Sequence, residues 1–204
     1  MSQIMSLAKE FVKLSLSGEE RDPLTNLRLQ KLLYYSQAWS LVIRESELFQ
    51  EEICAWRHGP VVQEVYRALP DAGATAVPLE SFADAPDLEA DEAAFVKSVW
   101  EAYNQYSAIK LSRMTHEETP WKKAWGGRPV DGTGNDAIQI EDLEEFFGRQ
   151  AMPAPLAAYA HDLRKREEEA TRKLLGIAPI SADLLMGASN SYTPAARRLA
   201  TAGG

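Results

Sequence analysis

The sequence contains few of the residues that form disulfides or bind transition metals. Its 204 residues include one cysteine, Cys54, and three histidines. A single cysteine excludes an intramolecular disulfide, which fits a reducing cytoplasm. Cys54 and His58 are four residues apart and His116 is distant, and zinc motifs such as Cys-x-x-Cys or His-Glu-x-x-His are absent. We therefore predict that the protein uses neither a metal nor another cofactor.

Long apolar runs are also absent. No window approaches the roughly 18 uninterrupted apolar residues that a transmembrane helix needs. Residues 1–9 lack the basic start and the apolar run of a secretory signal. Hydrophobic residues make up 45% of the chain and charged residues 25%, which is ordinary for a globular protein. We expect a cytoplasmic protein without membrane contact, built around one substantial core.

Positive charge is scarce relative to negative charge. Lys and Arg number 22 against 30 Asp and Glu, which gives a formal net charge of −8. Residues 80–92 carry six carboxylates and no basic residue, a pattern typical of a solvated loop that leads into a helix. Nucleic-acid binding normally needs an extended basic surface. A nucleic-acid partner is therefore unlikely from composition, although a local basic patch is not excluded.

Catalytic motifs are missing as well. There is no phosphate-binding Gly-x-x-x-x-Gly-Lys-Ser/Thr loop, and Gly126-Gly127 lacks the strand-to-helix setting of a nucleotide loop. Ser112 and His116 are one helical turn apart, but no third orienting group accompanies them. Cys54 has apolar neighbours, which make a thiol unreactive. The sequence predicts that the protein is not an enzyme.

Hydrophobic periodicity predicts a mainly α fold around one buried helix, over about residues 24–44. Thr25 is a suitable N-cap, and the polar side chains of this segment occupy a stripe of only about 80°. A helix with so narrow a polar stripe is surrounded by protein. Arg28 and Lys31 project from its apolar side. Either could extend along Tyr35, pair with a carboxylate such as Glu64, or contact a partner.

Further helices are predicted on both sides of this central helix, over residues 1–16, 90–106, 108–115, 120–125, 141–147 and 156–175. Glu52–Trp56 and Ile138–Ile140 are short strand candidates that could pair as a minor β-hairpin. Gly59-Pro60 is expected to open a helix, since proline suits the first helical position. Residues 71–86 are rich in Ala, Gly, Pro and Asp and predict an exposed loop.

The chain divides into three predicted parts. Residues 1–150 form a globular domain, residues 151–180 a charged helix that packs on it, and residues 181–204 a flexible tail of small and polar residues. Five tryptophans and seven tyrosines are many for this length. Trp121, Trp125 and Tyr192 are candidates for the exposed aromatics that anchor protein interfaces, with burial in the core as the alternative for Trp121.

Three segments carry a family resemblance. They are Gln30-Lys31-Leu32-Leu33-Tyr34, then Trp56-Arg57-His58-Gly59-Pro60-Val61 with Val65-Tyr66, and finally Leu111-Ser112, Thr115-His116 and Pro120-Trp121. Each is common alone. In this order and spacing, over about residues 24–147, they resemble the Panacea domain of the SocA-like antitoxins.

The resemblance implies a mostly helical domain that neutralises a toxin encoded beside it by binding the toxin directly. The best-known mode in the family is proteolytic adaptation, in which the antitoxin delivers its toxin to the ClpXP protease. The implied partners are therefore a cognate toxin and the ClpX unfoldase, which the 181–204 tail could contact. Arg57 and His58 belong to the family signature. With Arg28, Lys31, Trp121, Trp125 and Tyr192 they complete the set of candidate partner-binding residues.

Two alternatives stay open from the sequence. The protein could mask its toxin stoichiometrically, without a protease. It could also repress its own operon by binding DNA, for which the basic residues of 164–173, with Arg197 and Arg198, are the only local support. The interleaved carboxylates at 167–169 weaken that second alternative.

Overall fold

The computed structural model describes residues 2–18, 23–69, 75–129 and 131–176, and within them the fold is mainly α, as predicted. The helices are α1 (Gln3–Ser17), α2 (Asn26–Arg44), α3 (Gln63–Ala68), α4 (Ala90–Tyr103), α5 (Ala108–Glu117), α6 (Thr119–Trp125), α7 (Ile140–Phe147) and α8 (Ala154–Leu174). Among the described residues, none of these helices combines the length and the apolar character needed to span a bilayer.

The chain separates into two compact units, Met1–Asp162 and Leu163–Gly204. The first unit holds α1 to α7 and the first part of α8. In the second unit, only the remainder of α8 and residues 175–176 are described. The expected boundaries near residues 150 and 180 stay a prediction, and the expected tail, 181–204, lies outside the described residues.

Helix α2 lies at the centre of the first unit, as its narrow polar stripe predicted. The Thr25 side chain caps it by accepting from the Arg28 amide, and every residue from Arg28 to Leu41 is buried. Buried glutamines on this helix need partners, and they find them in neighbouring backbone. Gln30 Oε1 accepts from the amide of Val62 at 2.8 Å. Gln37 Oε1 accepts from the amide of Leu48 at 2.9 Å.

A small antiparallel sheet packs against α2 and α6. Its strands are β1 (Ile53–Trp56), β2 (Gly59–Val62) and β3 (Asp136–Ala137), in the order β2-β1-β3. The sheet therefore contains one strand more than the predicted hairpin. The third strand precedes the predicted segment, 138–140, by two residues, although the Ile138 amide still donates to Ile53 O at 2.8 Å.

The prediction that a helix begins at Gly59-Pro60 is wrong. Gly59 has φ +98°, outside the helical region, and Pro60 pairs with Ala55 inside the sheet. The helix begins only at Gln63, after β2 ends. Proline fixes φ near −65°, which suits a strand as well as a first helical turn, so the dipeptide could not decide between them.

The segment expected to be an exposed loop is partly buried. Within residues 75–86, Leu79–Phe82 form a 3₁₀ helix, and Val77, Phe82 and Ala85 are buried. The amide of Val77 donates to Leu24 O at 2.8 Å, next to the start of α2. Its few apolar residues therefore fix this acidic segment to the core, which composition alone did not reveal.

A Gly59→Ala substitution tests how tightly α2, β2 and α5 meet. A Cβ at residue 59 would lie 2.7 Å from Thr115 Oγ1 and 2.8 Å from Lys31 Cε, and its φ of +98° also disfavours alanine. We expect a loss of roughly 3 kcal/mol in the free energy of unfolding, measured in urea. Gly127→Ala is the control, because Gly127 has φ +69° and open space around it. It should cost only about 1 kcal/mol, and equal losses would contradict this packing.

Candidate partner-binding site

The turn between β1 and β2 lies at the surface of the first unit. Arg57 and His58 form its tip, and Trp56 pairs with Gly59 across its base. Gly59 suits the last position because its positive φ reverses the chain at no steric cost. We refer to residues 56–60 as the signature turn, since they form the middle segment of the sequence signature.

Four side chains from three helices donate hydrogen bonds to backbone carbonyls of the signature turn. The pairs are Lys31 Nζ with Pro60 O at 2.9 Å, Ser112 Oγ with His58 O at 3.0 Å, His116 Nε2 with Arg57 O at 2.9 Å, and Trp121 Nε1 with Trp56 O at 3.1 Å. We call these four side chains the clasp. They come from α2, α5 and α6, so the turn is fixed by elements far apart in sequence.

The second nitrogen of the His116 ring also faces a carbonyl. His116 Nδ1 lies 2.5 Å from Ser112 O, one turn earlier on α5. A neutral imidazole has one N–H to donate and a protonated imidazole has two. The ring also packs edge-on against Trp121, with the ring centroids 4.2 Å apart. His116 is therefore positioned by α5, α6 and the turn together.

The clasp binds only backbone atoms of the signature turn, and the two side chains at the tip of the turn face outward. The side chains of Arg57 and His58 are exposed. They are the only two of the seven sequence candidates that the structure places on the surface among the described residues. The clasp thus presents two basic side chains on a rigid backbone, a combination that lowers the entropy cost of binding a partner.

Helix α5 continues this surface. Ile109, Ser112, Arg113 and His116 follow the i, i+3, i+4, i+7 spacing of one helix face, and Ser112 and His116 bind the turn. Ile109 is 71% exposed and Arg113 is exposed. In the described part of the chain, neither Arg57 nor Arg113 forms an ion pair. We call Arg57, His58, Ile109 and Arg113 the presented face.

The presented face is electropositive although the protein is acidic. The pKa of His58 lies below its usual value, first because part of the ring is withdrawn from water and then because Arg57, Lys31 and His116 are nearby. No carboxylate contributes to this shift. A local basic patch on a chain of net charge −8 favours a partner surface that carries carboxylates.

Arg28 and Lys31, two further candidates, are buried. They are 1% and 0% exposed. Arg28 donates to Asn104 O, and its guanidinium lies 5.4 Å from the centre of the Trp100 ring. Lys31 donates to Pro60 O, not to Glu64, and burial lowers its pKa to about 7. The assignment of both residues as partner contacts stays a prediction. Their burial does not favour it.

The aromatic candidates are also buried where the structure describes them. Trp121 and Trp125 are 7% and 5% exposed, and their rings stack with centroids 5.1 Å apart. Trp125 Nε1 donates to Arg128 O at 2.9 Å. Trp121 thus follows the core alternative that the sequence left open. Tyr192 lies outside the described residues.

Sequence reasoning missed a partly buried carboxylate, Glu118, between α5 and α6. Tyr34 OH donates to its Oε2 at 2.7 Å and Tyr35 OH to its Oε1 at 2.9 Å. Tyr35 in turn stacks on Tyr103, with the ring centroids 4.1 Å apart. Burial raises the pKa of Glu118 to about 7 against the opposing effect of the two phenol hydrogen bonds. The only sequence signal was the adjacent tyrosine pair on a helix predicted to be buried.

Groups that could bind a metal are not brought together in the described part of the chain. It contains no cluster of three or more His, Cys, Asp or Glu side chains with suitable placement. Cys54 is buried in β1, with Gln63 Nε2 3.2 Å from its sulfur. Ser112 and His116 each use their polar atoms on backbone carbonyls of the turn or the helix. Ser112 and His116 therefore stabilise the fold through these hydrogen bonds.

A comparison with known protein families finds a match to the segment that contains the clasp. Residues 29–122 match the family model described as Antitoxin SocA-like, Panacea domain. This segment is similar to the SocA-like Panacea domain. The resemblance found in the sequence is therefore confirmed over those residues. No curated protein and no solved structure shows a significant match to the chain.

The matched segment begins in α2 and ends in α6, so it contains every residue of the clasp and of the presented face. Four of its signature residues, Lys31, Ser112, His116 and Trp121, bind the backbone of the turn. Gly59 lets Lys31 and Thr115 approach the turn closely.

The pH dependence of stability tests the burial of Lys31. In the unfolded chain this lysine keeps its proton up to its ordinary pKa of 10.5, whereas in the folded state its pKa is about 7. The folded state thus binds fewer protons between those values, and the contribution of Lys31 makes stability rise with pH. We expect the free energy of unfolding to rise by about 2 kcal/mol more from pH 7 to 9 in the native protein than in Lys31→Met.

Lys97→Met is the matched control, because Lys97 lies on the surface of α4 in an ion pair with Glu101. Urea unfolding at several pH values measures all three proteins. The control should keep the slope of the native protein. If Lys31→Met also keeps that slope, the folded lysine retains an ordinary pKa and the burial described here is contradicted.

Proposed function

We propose that this protein is the antitoxin of a toxin–antitoxin pair and that it binds its cognate toxin directly in the cytoplasm. The observation that supports this most is the Panacea domain over residues 29–122. The role of its signature residues agrees with a binding module. They position a turn instead of assembling a nucleophile, a general base or a metal site within the described residues.

We assign toxin binding to the presented face. Arg57 and Arg113 are exposed without an ion pair in the described structure, and Ile109 adds an exposed apolar side chain on the same face of α5. An arginine pair beside an apolar residue is typical of the centre of a protein interface. The toxin surface that fits this face carries carboxylates around an apolar pocket or patch.

Delivery of the toxin to ClpXP is the finer part of the proposal. A rigid domain that holds the toxin and a segment that holds ClpX would raise the effective concentration of toxin at the protease. We assign the second task to residues 181–204, from their composition. A toxin half-life that lengthens when these residues are deleted supports the adaptor. An unchanged half-life with full neutralisation supports the masking alternative.

Charge reversal on the presented face tests the proposed toxin contact. We expect Arg57→Glu with Arg113→Glu to weaken toxin binding by about 100-fold or more, because two attractive charge contacts become repulsive. Cells that express the toxin with this variant should stop growing, and the toxin should no longer purify with it. The folded state should be retained, since neither side chain contributes a hydrogen bond to the clasp.

Lys97→Glu is the matched control for the reversal. Lys97 is an exposed basic residue on α4, with 63% of its side chain accessible. This variant should neutralise the toxin as the native protein does. If the control fails and the double reversal on the presented face does not, the toxin contacts α4 and our assignment of the site is overturned. Thermal unfolding of both variants verifies that they are folded.

A further inference from the structure

Glu118 lies at a pocket that the antitoxin assignment does not use. The pocket has a volume of about 320 Å³. Its apolar wall is largely aromatic, from Tyr35, Trp39, Tyr103 and Phe147, and its polar groups include Glu117 and Glu118. Glu117, Gln150 and Ala151 at the rim are accessible, so the pocket opens to solvent. It is contained entirely in the first unit.

The charges around the pocket are all negative. Two carboxylates line it, and no Lys, Arg or His is among its lining residues. The carboxylate of Glu118 accepts from two phenols and, within the described residues, forms no ion pair. Hydrogen bonds from neutral phenols offset only part of the cost of removing a carboxylate from water. The resulting rise in the Glu118 pKa agrees with this incomplete compensation.

A positively charged group in the pocket would supply what the carboxylate lacks. A guanidinium or ammonium group can donate charge-assisted hydrogen bonds to a carboxylate. Aromatic rings around the same space attract cations through their π faces, and more strongly when the cation is shielded from water. The stacked Tyr35 and Tyr103 rings, with Trp39 Nε1 bonded to Tyr103 OH at 2.7 Å, hold this wall rigid.

We propose that the pocket between α2, α4, α5 and α7 is a binding site for a basic side chain, an arginine or a lysine, of a protein partner. The open rim favours a side chain over a free small molecule. A pocket for a small ligand normally encloses roughly 70–90% of that ligand, whereas an open pocket of this volume suffices for one side-chain head group. This proposal rests on the proposed function in that it takes the partner to be a protein.

The pocket and the presented face would take opposite charges from a partner. The presented face carries arginines and the pocket carries carboxylates, and both involve α5, which contributes Arg113 to the face and Met114 and Glu117 to the pocket. A partner with an acidic patch and a nearby basic side chain would satisfy both. Such alternation of charge fixes the register of a complex and rejects partners with one sign of charge.

The test uses the full chain and a small probe, N-acetyl-arginine methylamide. Its control is N-acetyl-citrulline methylamide, which has nearly the same shape and no charge. Carboxyl carbon NMR follows Glu118 and indole NMR follows Trp39 during each titration. We expect saturable binding of the arginine probe, with a fall in the Glu118 pKa on saturation, and at least about tenfold weaker binding of the citrulline probe.

Two variants show whether Glu118 is the site. Glu118→Gln keeps the size of the side chain and should lower the affinity for the arginine probe by about tenfold or more. Glu101→Gln, which removes an exposed carboxylate of α4 outside the pocket, should leave binding unchanged. Because the pKa measurement on the native protein needs no variant, a loss of folding in Glu118→Gln would not decide the result.

Equal titration curves for the arginine and citrulline probes, including two flat ones, would overturn the proposal. Tighter binding of choline than of the arginine probe would also overturn it, because the source of the cation would then be a free molecule. Neither result depends on a toxin. The pocket can therefore fail while toxin binding by the presented face holds, and the charge-reversal variants would show that case separately.

Discussion

The hydrogen bonds of the clasp are the interactions on which the rest of the structure depends. Four carbonyls of the signature turn are bound by side chains from α2, α5 and α6. A two-stranded hairpin of four-residue strands is at most marginally stable by itself. Bonds to the core convert it into a rigid element, and they join three helices at one place. Signature residues of the matched segment therefore hold the backbone of the turn in place. The side chains that they leave exposed are available for binding.

The fold also has an electrostatic cost. Lys31 of the clasp is buried and Glu118, outside the clasp, is partly buried, and neither forms an ion pair among the described residues. One is bound by a carbonyl and the other by two phenols. The costs fall in different pH ranges, because the raised pKa of a carboxyl and the lowered pKa of a lysine affect stability on opposite sides of pH 7. Natural proteins often retain such costs where a function uses the groups concerned.

Much of the fold followed from the sequence, and the site followed only in part. The 3.6-residue period and the Thr25 cap located α2, because burial on all sides leaves a clear pattern. The helix predicted to begin at Gly59-Pro60 was wrong, because the same dipeptide suits a hairpin and a helix start. The clasp could not be derived from residue types, because its partners are backbone carbonyls. Lys31 and Arg28 were candidates for partner binding because their carbonyl partners could not be identified from residue types either. Glu118 was missed because adjacent carboxylates at a helix boundary normally cap a turn.

The most direct measurement is hydrogen exchange of the protein with and without the proposed toxin, followed amide by amide. We expect the toxin to slow exchange in the signature turn and on the exposed side of α5, while exchange in α1 and on the surface of α4 around Lys97 stays unchanged. Slowed exchange confined to α1 and α4, with an unchanged signature turn, would contradict the claim that the clasp exists to present a binding surface.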